Sequence, residues 1–190
     1  MLKKDIENAI INKILYPTVL GMYSIGKPYK GVLYLGIIIT KEGPKVIEYN
    51  ARFGDPETQV VLPRLKTDLV DIMLAVIEGK LDKIEVEWDT RPSACVVMAS
   101  GGYPGSYENG KEITGIKEAE NLADVVVFHA GTETKNEKLV TKGGRVLGVT
   151  ATGKDLREAV DKAYKAVSLI SFEKAHYRKD IAKRAFARND

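Results

Sequence analysis

The chain has 190 residues, 44% of them hydrophobic, and a formal net charge of +3. This length suffices for one domain or two small ones with a real core, and a small charge spread over interleaved acidic and basic residues argues against nucleic-acid binding. No apolar run approaches the roughly 20 residues of a membrane span and the N-terminus lacks a signal-peptide pattern, so we expect a cytoplasmic protein without a membrane partner. The single cysteine, Cys95, stands among apolar residues and is expected to be a buried structural thiol.

The first predicted element is an amphipathic helix over residues 2 to 15. Its apolar residues recur at helical spacing, and Pro17 should end it because proline removes a backbone donor and clashes with the preceding turn. The apolar positions are Leu2, Ile6, Ala9, Ile10 and Leu15.

An antiparallel hairpin is predicted next. Residues 31 to 40 form a near-continuous apolar run, residues 41 to 43 a short turn, and residues 44 to 53 a second run. This pairing places Glu48 opposite the first strand, which carries no carboxylate. Phosphate oxygens, water or residues outside this chain would therefore have to complete the shell of a metal ion held by the hairpin.

The second strand of the hairpin ends in a dense set of polar groups. Strand side chains alternate between faces, so Glu48, Asn50 and Arg52 should share one face. A carboxylate and an amide oxygen two residues apart are hard ligands that suit Mg²⁺, and a guanidinium beside them suits phosphate oxygens. The spacing is equally typical of a solvated edge-strand face, with Ile47, Tyr49 and Ala51 opposite.

Two helices should follow the hairpin. Asp55 is expected either to cap a short helix that Pro56 begins or to contact a substrate. Thr67 and Asp68 should cap a longer helix that runs to Glu78 and ends at Gly79. Its apolar residues are predicted to be core: Leu69, Val70, Met73, Val76 and Ile77.

A different pattern begins near Lys83, with short β runs separated by glycine, proline and asparagine turns. Strands are predicted at residues 84–88, 94–99, 125–129, 138–141 and 146–151, and an amphipathic helix at residues 155–170. This pattern predicts a small, largely antiparallel β domain closed by a helix.

The turn Gly143-Gly144-Arg145 is a candidate anion site. Paired glycines allow backbone N–H groups to approach an anion, the arginine adds a planar fork of donors, and Lys142 could assist. The alternative is a hairpin turn with an exposed arginine. The glycine-rich residues 101 to 105 lack the lysine and following helix of a phosphate-binding loop, so we interpret them as a turn.

The stretch Glu48-x-Asn50-x-Arg52-Phe53-Gly54-Asp55-Pro56-Glu57-Thr58-Gln59 resembles the metal-binding segment of the phosphoribosylamine–glycine ligase family. Other stretches resemble the family in the same order: Tyr29-Lys30-Gly31-Val32-Leu33-Tyr34, Gly102-Tyr103-Pro104-Gly105, Phe128-His129-Ala130-Gly131-Thr132, Gly143-Gly144-Arg145-Val146-Leu147-Gly148-Val149-Thr150-Ala151 and Tyr177-Arg178-Lys179-Asp180-Ile181. The likeness covers nearly the whole chain but only roughly the C-terminal half of the family's enzyme.

This resemblance implies an α+β fold. Residues 1–82 would be the C-terminal part of an ATP-grasp domain, an antiparallel sheet with helices, and residues 83–190 a β-rich C-terminal domain. The family reaction belongs to de novo purine biosynthesis: ATP phosphorylates glycine, and 5-phosphoribosylamine attacks the glycyl phosphate to give glycinamide ribonucleotide, ADP and phosphate.

The resemblance also implies roles for particular residues. Glu48 and Asn50 would hold Mg²⁺ or Mn²⁺ against ATP, and Arg52 would contact the nucleotide and act catalytically on the migrating phosphoryl group. Arg145 would bind the sugar phosphate, since related ligases use a Gly-Arg turn of the C-terminal domain for it, and Lys142 could assist. Asp55 remains a candidate for substrate binding beside its possible role as a helix cap.

Two other readings remain open. The chain could be a non-catalytic fragment or subunit that docks with a separate N-terminal half of the ligase, or a related ATP-grasp ligase acting on another carboxylate or amine. Because the lysines, adenine-contacting hinge and glycine-rich loop of the other nucleotide lobe have no counterpart before Gly31, we expect the chain alone to be inactive and to bind MgATP weakly.

Overall fold

The computed structural model describes residues 3–187. The chain divides into two compact units: the first is Met1–Gly54 with Thr67–Val86, and the second is Asp55–Lys66 with Glu87–Asp190. The domain boundary expected after residue 82 stays a prediction.

The first unit begins with a helix that runs through Pro17. Helix α1 (Lys4–Ile10), a π-helical segment (Ile11–Leu15) and helix α2 (Tyr16–Ser24) follow one another with helical dihedrals at each junction. The N–H of Tyr16 donates to the carbonyl of Ile11 five residues earlier. The predicted end before Pro17 is therefore wrong, because the wider turn accommodates a residue without a donor. Leu2, where the predicted helix starts, lies outside the described residues.

The predicted hairpin is confirmed. Strands β1 (Tyr34–Thr40) and β2 (Gly43–Asn50) pair antiparallel, with an irregularity between Gly36 and Ile37 that leaves Gly36 opposite Glu48. The second strand ends at Asn50, three residues before the predicted end.

The two predicted helices after the hairpin are helix α3 (Thr58–Val61), in the second unit, and helix α4 (Leu69–Glu78), in the first. The carboxylate of Asp68 accepts the N–H of Val70 at 2.7 Å, and Gly79 ends α4 at a φ of 70°. These predicted ends are confirmed, but the predicted burial is wrong. Within α4 only Ala75 is buried, and Val70 and Ile77 are 60% and 67% exposed. An amphipathic pattern shows which face of a helix is apolar, but it does not show that another element packs against that face.

The second unit holds a four-stranded antiparallel sheet in the order β4-β7-β3-β8 and a separate hairpin β5-β6. The strands are β3 (Ser93–Ala99), β4 (Val125–His129), β5 (Thr132–Lys135), β6 (Lys138–Thr141), β7 (Arg145–Thr152) and β8 (His176–Tyr177). The helices are α5 (Ile116–Glu120), α6 (Leu156–Leu169) and α7 (Lys183–Phe186). Short 3₁₀ turns lie at Leu62–Arg64 and Leu81–Lys83.

The predicted β-rich domain is confirmed in its central strands and its closing helix. Strands β3, β4, β6 and β7 and helix α6 match the predicted ranges within one or two residues. The strand predicted at residues 84–88 is wrong, since this range forms no strand and Trp88 makes an isolated β-bridge to Leu65. Strands β5 and β8 and helix α5 were not predicted, and each is five residues or shorter.

The core of the second unit lies between the sheet and α6. The fully buried residues include Val96, Val146, Leu147, Val149 and Ala163. Cys95 is buried as predicted, and burial raises the pKa of its thiol. None of the helices within residues 3–187 has the length and apolar character needed to cross a membrane.

Candidate active site

The structure brings Glu48 and Asn50 together on β2 in the first unit. Nδ2 of Asn50 donates to Oε1 of Glu48 at 3.1 Å. Opposite them, a Cβ at position 36 would lie 2.8 Å from Cγ of Glu48. Glycine at position 36 therefore leaves the space across β1 that the Glu48 side chain occupies.

Arg52 does not extend this strand face. It lies two residues beyond the end of β2, is exposed, and donates from Nη1 to the carbonyl of Phe53 at 3.1 Å. On the opposite face of β2, Ile47 and Tyr49 are 68% and 49% exposed.

The donor set of this face suits a hard divalent cation in kind. Glu48 is exposed and offers carboxylate oxygens, and Asn50 offers an amide oxygen beside them. Among residues 3–187 there is no group of three or more His, Cys, Asp or Glu side chains that could hold a metal ion. The described residues thus contribute two protein oxygens, a number typical of magnesium sites in which substrate phosphates and water complete the shell.

Asp55 and Arg145, which lie 90 residues apart in sequence, form an ion pair in the second unit. Nη2 of Arg145 lies 3.1 Å from Oδ2 of Asp55, and Nη1 donates to the backbone carbonyl of Asp55 at 3.1 Å. The side chains are 41% and 46% exposed, so solvent reaches the pair. The predicted cap on α3 is wrong, because the N-cap residue is Glu57 and it makes no side-chain cap.

The Gly143-Gly144 turn precedes Arg145 and is fixed through its carbonyls. The hydroxyl of Ser100 donates to the carbonyl of Gly143, and the N–H of Ser100 donates to the carbonyl of Gly144, both at 2.8 Å. A Cβ at position 144 would lie 2.2 Å from the ring of Tyr103. The aromatic ring therefore requires glycine at this position.

Lys142 is engaged elsewhere in the same unit. Its Nζ lies 3.0 Å from Oε2 of Glu133 on β5, in a pair that is about half exposed. The ion pairs thus join Arg145 to Asp55 and Lys142 to Glu133.

Sequence reasoning missed two neighbours of these residues. Gln59 donates from Nε2 to Oδ1 of Asp55 at 3.0 Å, and Tyr103 packs on Gly144. Gln59 stands in the stretch that carried the family resemblance, and Tyr103 stands in the glycine-rich turn. Neither position has a local spacing that marks it as part of a site.

Two family models match the chain in succession. The model described as "Phosphoribosylglycinamide synthetase, ATP-grasp (A) domain" matches residues 1–58, and "Phosphoribosylglycinamide synthetase, C domain" matches residues 93–184. The hairpin with its Glu48–Asn50 pair thus falls in an ATP-grasp domain, and the Gly-Gly-Arg turn falls in a C domain. The chain belongs to the phosphoribosylglycinamide synthetase family.

Individual relatives support the same family. The chain is 52% identical over 175 residues to phosphoribosylamine–glycine ligase of Caldanaerobacter subterraneus subsp. tengcongensis, which covers 92% of this chain and 41% of that protein. It is 51% identical over 187 residues to the trifunctional purine biosynthetic protein adenosine-3 of Gallus gallus, covering 98% of this chain and 18% of that protein. The chain therefore spans less than half the length of these relatives.

Solved structures agree with the predicted α+β fold. A crystal structure of phosphoribosylamine–glycine ligase from Thermotoga maritima superposes with a TM-score of 0.81 at 34% identity, covering 95% of this chain and 44% of that one. N5-carboxyaminoimidazole ribonucleotide synthetase from the same organism superposes with a TM-score of 0.57 at 15% identity, a likeness in fold alone.

Proposed function

We propose that this chain supplies the metal-binding hairpin and the C domain of a phosphoribosylamine–glycine ligase. The whole enzyme would use ATP to form glycyl phosphate from glycine and would transfer the glycyl group to 5-phosphoribosylamine, giving glycinamide ribonucleotide, ADP and phosphate. The observation that carries the proposal is the Glu48–Asn50 pair, hydrogen-bonded at 3.1 Å within the residues that match the ATP-grasp domain.

Glu48 and Asn50 would hold Mg²⁺ or Mn²⁺ through their side-chain oxygens. When bound, the ion would neutralise phosphate charge and orient the triphosphate for in-line transfer. Arg52, two residues beyond the strand and exposed, would place its guanidinium on the phosphoryl group as it moves to the glycine carboxylate. The contribution of these side chains is therefore positioning and charge stabilisation.

Arg145, Asp55 and Lys142 would form the substrate side in the C domain. Asp55 occupies one N–H of each Nη of Arg145, and a guanidinium carries five N–H donors, so three remain for a phosphate of the ribosyl substrate. Lys142, on the strand-to-turn boundary beside Gly143, would add a second positive charge.

A ligation assay with the chain and the rest of the enzyme tests this proposal. The chain is co-expressed with the N-terminal part of the Caldanaerobacter relative that precedes the aligned region, and glycinamide ribonucleotide is measured with ATP, glycine and phosphoribosylamine present. We expect product with the unmodified chain and at least about a hundredfold less with Glu48→Gln. Glu42→Gln, which removes a carboxylate paired with Lys45 in the same hairpin, is the matched control. Near-normal turnover of Glu48→Gln would contradict the metal assignment.

The substrate side is tested with Arg145→Ala in the same mixture. We expect a higher KM for phosphoribosylamine and an unchanged KM for ATP, since the arginine would contact the ribosyl phosphate. A selective loss of ATP affinity would place Arg145 on the nucleotide instead.

One observation favours the second candidate, a subunit that docks with a separate N-terminal half. In the first unit the exposed large hydrophobic residues include Leu20, Tyr23, Ile47, Leu74 and Ile77, and surface of this kind is typical of an interface. Association without ligation, lost in a Leu74→Ser and Ile77→Ser chain, would support docking alone. Ligation of another amine or carboxylate in preference to phosphoribosylamine and glycine would indicate a different ATP-grasp ligase.

A further inference from the structure

Gln59 links helix α3 to strand β7 in the second unit. Its Nε2 donates to Oδ1 of Asp55 at 3.0 Å, and its backbone carbonyl accepts the hydroxyl of Thr150 at 2.9 Å. Thr150 and Arg145 lie on the same strand. The glutamine is thus tied both to the strand that presents Arg145 and to the carboxylate that pairs with it.

The stem of Gln59 packs on β7 between these two residues. A Cβ at Gly148 would lie 3.5 Å from Cγ of Gln59 and 3.4 Å from Sγ of Cys95. The side chain therefore lies against the strand and reaches Asp55 from a packed position, which limits the rotamers available to it.

The other end of the amide is left without a partner. Oε1 of Gln59 is buried and has no hydrogen-bond donor among the described residues. The orientation of the amide follows from its neighbour, because a carboxylate only accepts and the nitrogen must face Asp55. An acceptor buried without a donor lowers stability, so an apolar side chain of the same size would suit the packing better. The stability cost indicates that the amide nitrogen has another role.

We propose that Gln59 is a positioning residue, which holds the Asp55 carboxylate so that this carboxylate fixes the guanidinium of Arg145. The two carboxylate oxygens of Asp55 have different partners: Oδ1 accepts a hydrogen bond from Nε2 of Gln59, and Oδ2 pairs with the guanidinium of Arg145. Without the amide, the carboxylate turns about its terminal torsion, which is broad for aspartate. Arg145 then keeps only its bond to the backbone carbonyl of Asp55. The consequence for substrate rests on the proposed function, since it requires that Arg145 bind the ribosyl phosphate.

The first test measures Arg145 itself in the full 190-residue chain. Rotation about the Nε–Cζ bond of the guanidinium is followed by nitrogen-15 NMR in the unmodified chain and in Gln59→Met, which keeps the volume and removes both amide atoms. Because the ion pair is exposed and weak, we expect rotation about threefold faster in the variant, with an unchanged or higher Tm because the orphaned acceptor is gone.

Val61→Ala is the matched control for this test, since Val61 is 41% exposed on the same helix. It should leave the rotation unchanged. Unchanged rotation in Gln59→Met would overturn the proposal, and a lower Tm without a change in rotation would show that Gln59 is only structural.

The second test titrates the same chains with ribose 5-phosphate. We expect Gln59→Met to raise the Kd about threefold. Gln59→Glu should bind weakly at neutral pH and recover relative to the unmodified chain as pH falls, because burial and the neighbouring Asp55 raise the pKa of the introduced carboxyl, and only its protonated form can donate.

The two tests separate the two claims. If no chain binds ribose 5-phosphate but Arg145 rotates faster in Gln59→Met, the phosphate role of Arg145 fails and the positioning by Gln59 stands. If ribose 5-phosphate binds equally to all chains and Arg145 rotates alike in all, the positioning fails and the proposed function is untouched.

Discussion

The two units differ in what their hydrophobic residues do. In the described part of the first unit only Ile14 and Ala75 are buried hydrophobics, whereas the second unit buries most residues of strands β3 and β7. Helix α4 has an amphipathic sequence and ends where the sequence predicts, and the hairpin pairs as predicted, yet many apolar residues of both are exposed. Secondary structure can thus be specified locally where tertiary burial is not.

The site residues follow the same division. Glu48 and Asn50 lie on a largely exposed strand of the first unit, and the hydrogen bond between their side chains joins residues only two positions apart in sequence. Arg145 and Asp55 lie in the second unit, where Thr150, Ser100 and Gln59 fix the elements around them. We therefore expect substitutions of Glu48 or Asn50 to change function without stability, and substitutions in the turn that precedes Arg145, such as Gly144→Ala, to change both.

The largest expected effect is the loss of core volume in the second unit. Leu147→Ala removes a fully buried side chain from β7 and should lower the free energy of unfolding by about 2–5 kcal/mol. Leu74→Ala, at a position of α4 that is 51% exposed, should change it by less than about 0.5 kcal/mol. The effect of Leu147→Ala is measured by urea unfolding followed by the fluorescence of the single tryptophan, Trp88, which lies in the second unit. The effect of Leu74→Ala is measured by urea unfolding followed by circular dichroism. Equal losses would break the comparison.

Replacement of a glycine by alanine should change the stability of the two units in opposite directions. Gly144→Ala drives a Cβ into the ring of Tyr103, which lies 2.2 Å from its ideal position, and should cost about 1–3 kcal/mol. Gly21→Ala lies in α2 with nothing within 4 Å of the new Cβ and should favour the helix by up to about 1 kcal/mol. Thermal unfolding by circular dichroism measures both, and a stabilised Gly144→Ala chain would contradict the packing on Tyr103.

Sequence reasoning succeeded where a pattern is local. Strands β4 and β6 were predicted at their observed bounds, and the cap and stop of α4 at Asp68 and Gly79 were predicted from residue chemistry. It failed at Pro17, where a π-helical turn precedes the proline, and at residues 84–88, where Trp88 makes an isolated bridge and no strand forms. Both depend on backbone geometry that apolar spacing does not encode.

The candidate site divides in the same way. The proximity of Glu48 and Asn50 follows from strand alternation and was predicted. The ion pair of Arg145 with Asp55 joins positions 90 residues apart. The residue spacing around Asp55 and around Arg145 therefore could not predict it. Gln59 was missed for the same reason, since its role depends on how α3 lies against β7.

Removal of helix N-caps should have a smaller effect on stability and should also distinguish the two units. Asp68 caps α4 and Asp155 caps α6, with N–H to carboxylate distances of 2.7 and 2.8 Å. Replacement of either by alanine should cost about 1 kcal/mol. In Asp155→Ala the loss should appear as a lower Tm of the second unit, because α6 is packed on the core. In Asp68→Ala it should appear as faster hydrogen exchange in the first turn of α4 with little change in Tm. A lower Tm in Asp68→Ala, with only faster hydrogen exchange in Asp155→Ala, would show that α4 is packed more tightly than α6.

The smallest expected effect is a dependence on pH that arises in the second unit. Hydrogen bonds from the ammonium of Lys162 and from the guanidinium of Arg91 hold the pKa of the Asp124 carboxyl below its usual range. A carboxyl with a lowered pKa binds fewer protons in the folded state than in the unfolded one. Its contribution to stability is therefore complete above its unfolded pKa of about 4 and is lost as pH falls through the folded value.

Asp124→Asn tests this contribution with little change in shape. Asp124 has a φ of 63°, a conformation that asparagine also tolerates, so backbone strain should not differ. We expect a slightly lower Tm at pH 7 and a shallower loss of Tm between pH 5 and pH 3, both reduced in about 1 M salt because the pairs are partly exposed. Asp161→Asn, at an exposed position of α6, is the control and should keep the original slope. If Asp124→Asn follows the unmodified chain across this range, the acid sensitivity of the second unit arises at other carboxyl groups and the Asp124 pairs contribute no measurable stability.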